Sequence, residues 1–568
     1  MNENFKFSRI EYKRPDFEGV KSELSALTEK LKNAKSFAAA EEIYFEYQNV
    51  CVRVSDACTL VMIRHTVDTR DEFYDNENEY ISEVMPVVQP YFLDFSSALL
   101  ESRFKPDFIK KYGKQMFADI ELTKKAFCEK NIPLLQREAK LCNEYEKIIA
   151  GADIEFDGKS NNIYGIMKYF EDGDRNVRKA AYKKYAEFFE KNENRFEKIW
   201  DELIKIRTEQ GKNLGFENYI PLGYMKQGRT DYNADDVAAF RELVRREIVP
   251  LCEQLYKAQA KRIGVEKVLA YDENLVFGDG NAVPVGDDDF LLEKAREMYR
   301  DMSKETGEFI DYMIDHELLD LKNKPGKAAT GYMCCIDSLK APFVFSCFNG
   351  TTGDVDVLTH ELGHAFAGYE AARTQPITAY YSEPTDIAEI HSMSMEQFAY
   401  PYAEKFFGDK ADKYRFAHLQ DAVTFVPFGV AVDEYQHIVY ANPDLTPKQR
   451  TAEWKKLEQK YMPWRDYDDV DFFTRGGWWY HKIHIFLYPF YYINYTLTTM
   501  GAMEFKKKMA EDKVAAWRDY LNLCKVGGSK SYLETLRYAN LSVPFENGAV
   551  KKAISYAKDI LLEQIKKF

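Results

Sequence analysis

The run "VLTHELGHAFAGYE", residues 357 to 370, sets His360, Glu361 and His364 close together. On an α-helix, residues four apart share one face a turn apart, so both imidazoles can address a single ion while Glu361 lies beside the first. Two histidines and a third protein ligand would leave a fourth position open for water, which is the ligand set of a catalytic zinc. Among 568 residues with nine histidines, an accidental H-E-x-x-H is expected in about one such chain in a hundred. The preceding "TTGDVDV" offers capping and acidic residues, and Val357, Leu358, Leu362, Ala365 and Phe366 supply helical apolar positions.

A third ligand must come from downstream. An H-x-x-G-x-x-H continuation would need glycine at 367 and histidine at 370, where this chain has Ala367 and Glu370, so that class of zinc protease is excluded. Glu383 and Glu389 are the candidates. Glu383 directly precedes Pro384, which pushes it out of helical conformation and places it ahead of the next helix. Glu389 lies within "PTDIAEIHSMSMEQFAY", a helical segment from Pro384 to about Tyr400, where its aim is fixed; Glu396, seven residues on, shares its face and could orient a ligand. Position favours Glu389 over Glu383. The histidine spacing recurs at His316 with Asp320 as its last member, and is read there as a solvated helix face.

Attack of a metal-bound water on a carbonyl would generate an oxyanion, and a neutral hydroxyl or imidazole aimed at it lowers the barrier by roughly 3 to 4 kcal/mol. Within "HIFLYPFYYINYTL" (484 to 497), His484, Tyr488, Tyr491 or Tyr492, and Tyr495 recur at three-four spacing, on one face if the segment is a single helix. Such a stripe equally fits a packed core, so spacing alone leaves both readings open. Just upstream, "TRGGWW" (474 to 479) carries the paired glycines of a mobile loop.

The elements that must position these groups read as mainly helical. In "FEGVKSELSALTEKL", Phe17, Val20, Leu24, Leu27 and Leu31 form one apolar stripe, predicting a helix packed lengthwise on its neighbours. Strand signals are local: 152 to 166 predicts a short strand and turn, and 331 to 354 predicts two strands joined around Asp337 to Pro342, directly ahead of the histidine run. No repeat or low-complexity tract appears, and glycines and prolines form no long linker. A soft boundary is expected near 190, between an N-terminal helical lobe (1–190) and a catalytic region (191–568) that carries the histidine motif and shares helices with it.

Composition narrows the function classes. With 45% hydrophobic residues the chain can build more than one lobe around a large core. Its 78 Lys+Arg against 92 Asp+Glu leave a net charge of −14, with no basic aromatic-studded patch, which argues against nucleic acid as a partner. No uncharged apolar run approaches the roughly 18 residues of a membrane span, and the first residues lack a secretory apolar core, so a cytoplasmic setting is expected. Nine cysteines without paired C-x-x-C spacing predict free, buried thiols rather than disulfides.

"THELGHAF" followed by "DIAEIHSMSME" resembles the thimet oligopeptidase and oligoendopeptidase F family of zinc peptidases, most closely the shorter bacterial oligoendopeptidases that include the type cleaving collagen-like peptides. The likeness extends through 214 to 251, 484 to 497 and 521 to 541, and is thin over the N-terminal helices. It implies two helical lobes flanking a deep substrate cleft with a small β-sheet beside the zinc. It also implies one Zn²⁺ held by His360, His364 and Glu389, with Glu396 behind them and Glu361 as general base. It implies too that His484, Tyr488, Tyr492 and Tyr495 stabilise the oxyanion. The interval from His484 to Tyr488 is a residue shorter than in thimet-type enzymes, which makes Tyr491 the alternative donor. The expected activity is hydrolysis of internal bonds in short unfolded peptides, with one edge of the 331 to 348 strand pair accepting the substrate backbone. Alternatives are a carboxypeptidase or dipeptidase on the same scaffold, and a non-catalytic zinc-stabilised peptide-binding protein. Oligomeric state is not read from the sequence.

Overall fold

The computed structural model describes residues 5–324, 326–328, 330–348 and 350–568. Helices dominate it, with five short strands: β1 (Ile154–Phe156), β2 (Lys159–Asn161), β3 (Leu319–Asp320), β4 (Tyr332–Ile336) and β5 (Ala341–Phe345). The chain forms two compact units, each built from three separate stretches. The first comprises 1–124, 283–409 and 508–541; the second comprises 125–282, 410–507 and 542–568. The boundary expected near 190 falls inside one helix of the second unit, Arg175–Asn213. No helix among the described residues is long and apolar enough to cross a membrane.

In the first unit, helices Phe17–Lys32, Phe37–Val67 and Glu72–Leu100 pack on one another. The predicted stripe Phe17, Val20, Leu24, Leu27 and Leu31 is at most 3% exposed, and each such side chain stabilises the packing by roughly 1.5–3 kcal/mol. Asp16, Ser36 and Asp71 cap the three helices by accepting backbone N–H bonds. The sheet of this unit runs β3-β5-β4, with β4 antiparallel to β5 and β3 parallel to it. All five residues of β5 are buried, whereas β4 forms an edge and stays partly exposed. The predicted turn is a short 3₁₀ segment, Asp337–Leu339, closed by left-handed Lys340; the Asp56 carboxylate accepts the Asp337 N–H at 2.7 Å and ties the turn to helix Phe37–Val67.

The His316 reading is corrected. Helix Lys304–Asp315 stops before it, because Glu317 takes a left-handed conformation (φ 60°) that ends the helix and turns the chain into β3. His316 does not line a solvated face: its ring stacks on Phe5 at 4.4 Å, and its Nδ1 donates to the Phe5 carbonyl at 2.6 Å.

In the second unit, the strand and turn predicted at 152 to 166 form the β1-β2 hairpin. Asp157 and Gly158, both left-handed, make its two-residue turn. The 39-residue helix Arg175–Asn213 and helix Ala411–Ala441 span this unit, and buried ion pairs such as Arg207–Glu138 (2.7 Å) cross it. All nine cysteines are free, but only Cys252 and Cys524 are fully buried, so the expectation of buried thiols holds for two of them.

Candidate active site

Two helices of the first unit build the histidine cluster. The motif helix, Thr352–Thr374, carries His360, Glu361 and His364; the glutamate helix, Thr385–Ala399, carries Glu389 and Glu396. As Pro384 dictates, the second helix starts there and Glu383 stays outside it. The two helices cross at Gly363, where an added Cβ would lie 2.7 Å from Ser392 Cα and 3.1 Å from the His391 carbonyl. Only glycine permits that approach, and the approach carries Glu389 across to the histidines.

His360 Nε2 and His364 Nε2 lie 3.1 and 3.4 Å from the same oxygen, Glu389 Oε2. The three donor atoms fall within 4.8 Å of one another. Two donors each about 2.1 Å from one tetrahedral ion are about 3.4 Å apart, so this donor set fits a zinc-sized ion with neutral imidazole and carboxylate ligands. His360 Nδ1 donates to Glu396 Oε1 at 2.6 Å, which leaves Nε2 as the free lone pair facing Glu389. Ser392, one turn beyond Glu389, donates its hydroxyl to Glu389 Oε2 at 3.0 Å. Ser392 was not singled out in the sequence, although its spacing from Glu389 was the signal.

Burial pushes the Glu361 carboxyl above its ordinary range, against the pull of His360 and His364 and with Glu389 adding to the rise. Glu389 moves the other way: burial would raise it, but the two histidines hold it well below the usual carboxylate range. Glu361 Oε1 also lies beside the start of β4, 3.7 Å from the point where a side chain on Gly331 would begin. The partly exposed edge strand therefore begins at the carboxylate between the two histidines. Glu383, the other candidate ligand, pairs with His391 Nδ1 at 3.4 Å and is not in the donor set.

The second unit holds the aromatic cluster, and here the single-helix expectation is corrected. Helix Ile483–Leu487 ends at Tyr488 (φ −126°, ψ 69°), and a new helix starts at Ile493. Pro489 is the cause: it disfavours helical backbone at Tyr488 and has no N–H to continue the ladder. The break still gathers the side chains that the spacing grouped. The His484 ring centroid is 4.7 Å from that of Tyr492, 5.9 Å from Tyr488 and Tyr495, and 6.0 Å from Tyr491. Tyr492 is buried and Tyr488 half exposed; burial pushes both hydroxyls up, which keeps them protonated, the form that donates. The glycines of "TRGGWW" form no open loop: Gly476 is left-handed, an added Cβ would meet the Thr451 carbonyl at 2.4 Å, and one on Gly477 would meet the Phe472 carbonyl at 2.6 Å. They are close-packing positions.

Helix-borne His, His and Glu donors at the spacing of one tetrahedral ion, with a second carboxylate between the histidines, define the candidate centre of a mononuclear metallohydrolase. The sequence matches the Peptidase M3 N-terminal domain over residues 7–127 and Peptidase family M3 over residues 168–277 and 302–553. Pz peptidase A, solved with an inhibitor, is 44% identical and superposes with a TM-score of 0.93 over 98% of this chain and 99% of its own. A Bacillus anthracis protein provisionally described as an oligoendopeptidase F is 41% identical, with a TM-score of 0.89 over 99% of each chain. The oligoendopeptidase F homolog of Borreliella burgdorferi is 21% identical over 82% of each chain. The chain belongs to peptidase family M3, among its oligoendopeptidases.

Proposed function

We propose that this peptidase is a zinc-dependent endopeptidase that cuts internal bonds of short unfolded peptides. The observation that carries the reading is the shared oxygen of Glu389, 3.1 and 3.4 Å from the two histidine nitrogens, with Glu361 beside them at the start of an edge strand. His360, His364 and Glu389 would hold one Zn²⁺. When bound, zinc supplies Lewis acidity that polarises a peptide carbonyl and brings the pKa of water to about 7. Glu396 keeps His360 in the tautomer that binds metal. Glu361 accepts the proton of the attacking water and returns it to the leaving amine. His484 and the tyrosines Tyr488, Tyr492 and Tyr495, with Tyr491 as the alternative, donate to the oxyanion. The β4 edge takes the substrate by backbone hydrogen bonds, which makes recognition tolerant of side chains. A cytoplasmic setting fits nine unpaired cysteines.

Chelator treatment of the purified protein tests the metal. Cleavage of a short peptide that stops on chelation and returns with stoichiometric zinc is the expected result. Cleavage that survives complete zinc removal would refute the assignment.

A further inference from the structure

Phe490 sits at the centre of the broken helix in a left-handed backbone conformation (φ 60°), which a bulky side chain rarely adopts unless its surroundings impose it. Both its peptide groups are held by side chains from elsewhere in the second unit. Its N–H donates to Gln436 Oε1 at 2.9 Å, and its carbonyl accepts from Arg229 Nη2 at 2.5 Å. The same Arg229 nitrogen reaches Asn494 Oδ1 at 3.1 Å, bridging the break to the residue before Tyr495. Gln227 donates to the Pro489 carbonyl at 2.9 Å. The ring is fully buried over Gly223, where an added Cβ would lie 2.5 Å from it. The tyrosines named above flank this residue on both sides, so the path of the backbone at 490 decides where their hydroxyls point.

We propose that Gln436, Arg229 and Gly223 are positioning residues: they clamp strained Phe490 and so set the hydroxyl donors around His484 before substrate arrives. Preorganised donors stabilise a transition state more than a bound substrate, because no reorganisation accompanies the reaction. The inference rests on the donor role proposed for this cluster.

Gly223→Ala, Gln436→Met, Arg229→Met and Arg229→Lys would be compared with Tyr492→Phe for kcat, KM, zinc content, melting temperature and inhibition by a phosphinic peptide that mimics the tetrahedral oxyanion. The expected pattern for the clamp variants is a loss in kcat of about 10- to 100-fold with KM changed by less than about three-fold. Zinc content should stay at one per chain, and phosphinic-peptide affinity should fall in step with kcat/KM. Arg229→Lys, which keeps a donor for the Phe490 carbonyl, should recover part of the loss. Folded, zinc-loaded clamp variants with wild-type kcat, alongside a slowed Tyr492→Phe, would overturn the clamp alone. Wild-type kcat in Tyr492→Phe and in the companion His484→Gln, Tyr488→Phe, Tyr491→Phe and Tyr495→Phe variants would overturn the donor reading and the clamp with it. Should Arg229→Met fail to fold, Gly223→Ala and Gln436→Met decide.

Discussion

Because Glu361 lies between two histidines on one helix, its position is set by the same backbone that sets theirs, and burial raises its carboxyl above the ordinary range, which makes it a stronger proton acceptor than an exposed glutamate. Glu361→Gln keeps the size and removes the proposed proton acceptor. Turnover is expected to fall about 10²- to 10⁴-fold while one zinc per chain is retained, measured by peptide cleavage and metal analysis on the same sample. Glu396 acts one bond further away. Glu396→Gln loosens the hold on His360 Nδ1, and zinc affinity is expected to drop about 10- to 100-fold in a chelator competition, with a smaller loss of turnover at saturating zinc. Unchanged affinity would show that His360 is oriented without it.

The pairing of the motif and glutamate helices depends on Gly363. Gly363→Ala places a methyl 2.7 Å from Ser392 Cα, so the helices must separate. A destabilisation of about 1–3 kcal/mol is expected in denaturant melts, together with weaker zinc binding because Glu389 moves with its helix. Much of this pair was written locally: the four-residue histidine spacing and the proline before the second helix depend only on neighbouring residues, and the proline is what favours Glu389 over Glu383. The close approach at Gly363 was not, because its meaning lies in a residue 29 positions away on another helix. The break at Pro489 was written locally too, yet counting apolar and aromatic positions at helical spacing ran across it; the proline outweighs the periodicity. His316 shows the reverse case, where a histidine spacing survives on paper and a left-handed residue at 317 dissolves the helix.

Each unit gathers three distant stretches, an arrangement that composition and linkers could not signal because no linker marks the crossings. Buried groups fasten these stretches: in the second unit Arg207, paired with Glu138 inside 125–282, also donates to the Tyr440 hydroxyl and the Phe486 carbonyl of 410–507. Burial alone would raise the Glu138 carboxyl, but the Arg207 and Lys226 charges hold it at about 2, below its ordinary 4.5. The pair's contribution is therefore fully present above pH 4.5 and is lost as pH falls toward 2. Glu138→Gln leaves Arg207 buried and unbalanced; a deficit of about 3–5 kcal/mol at neutral pH, shrinking as wild type and variant are acidified together, is expected from denaturant melts across that range. A deficit independent of pH would point to lost packing instead. For the whole molecule, the most direct test is the product map of an end-blocked, internally quenched peptide of about ten residues, read by mass spectrometry with and without chelator. The account predicts chelator-sensitive cuts at internal bonds. Release of terminal residues only from unblocked peptides, or no cleavage by protein carrying one zinc per chain, would contradict it.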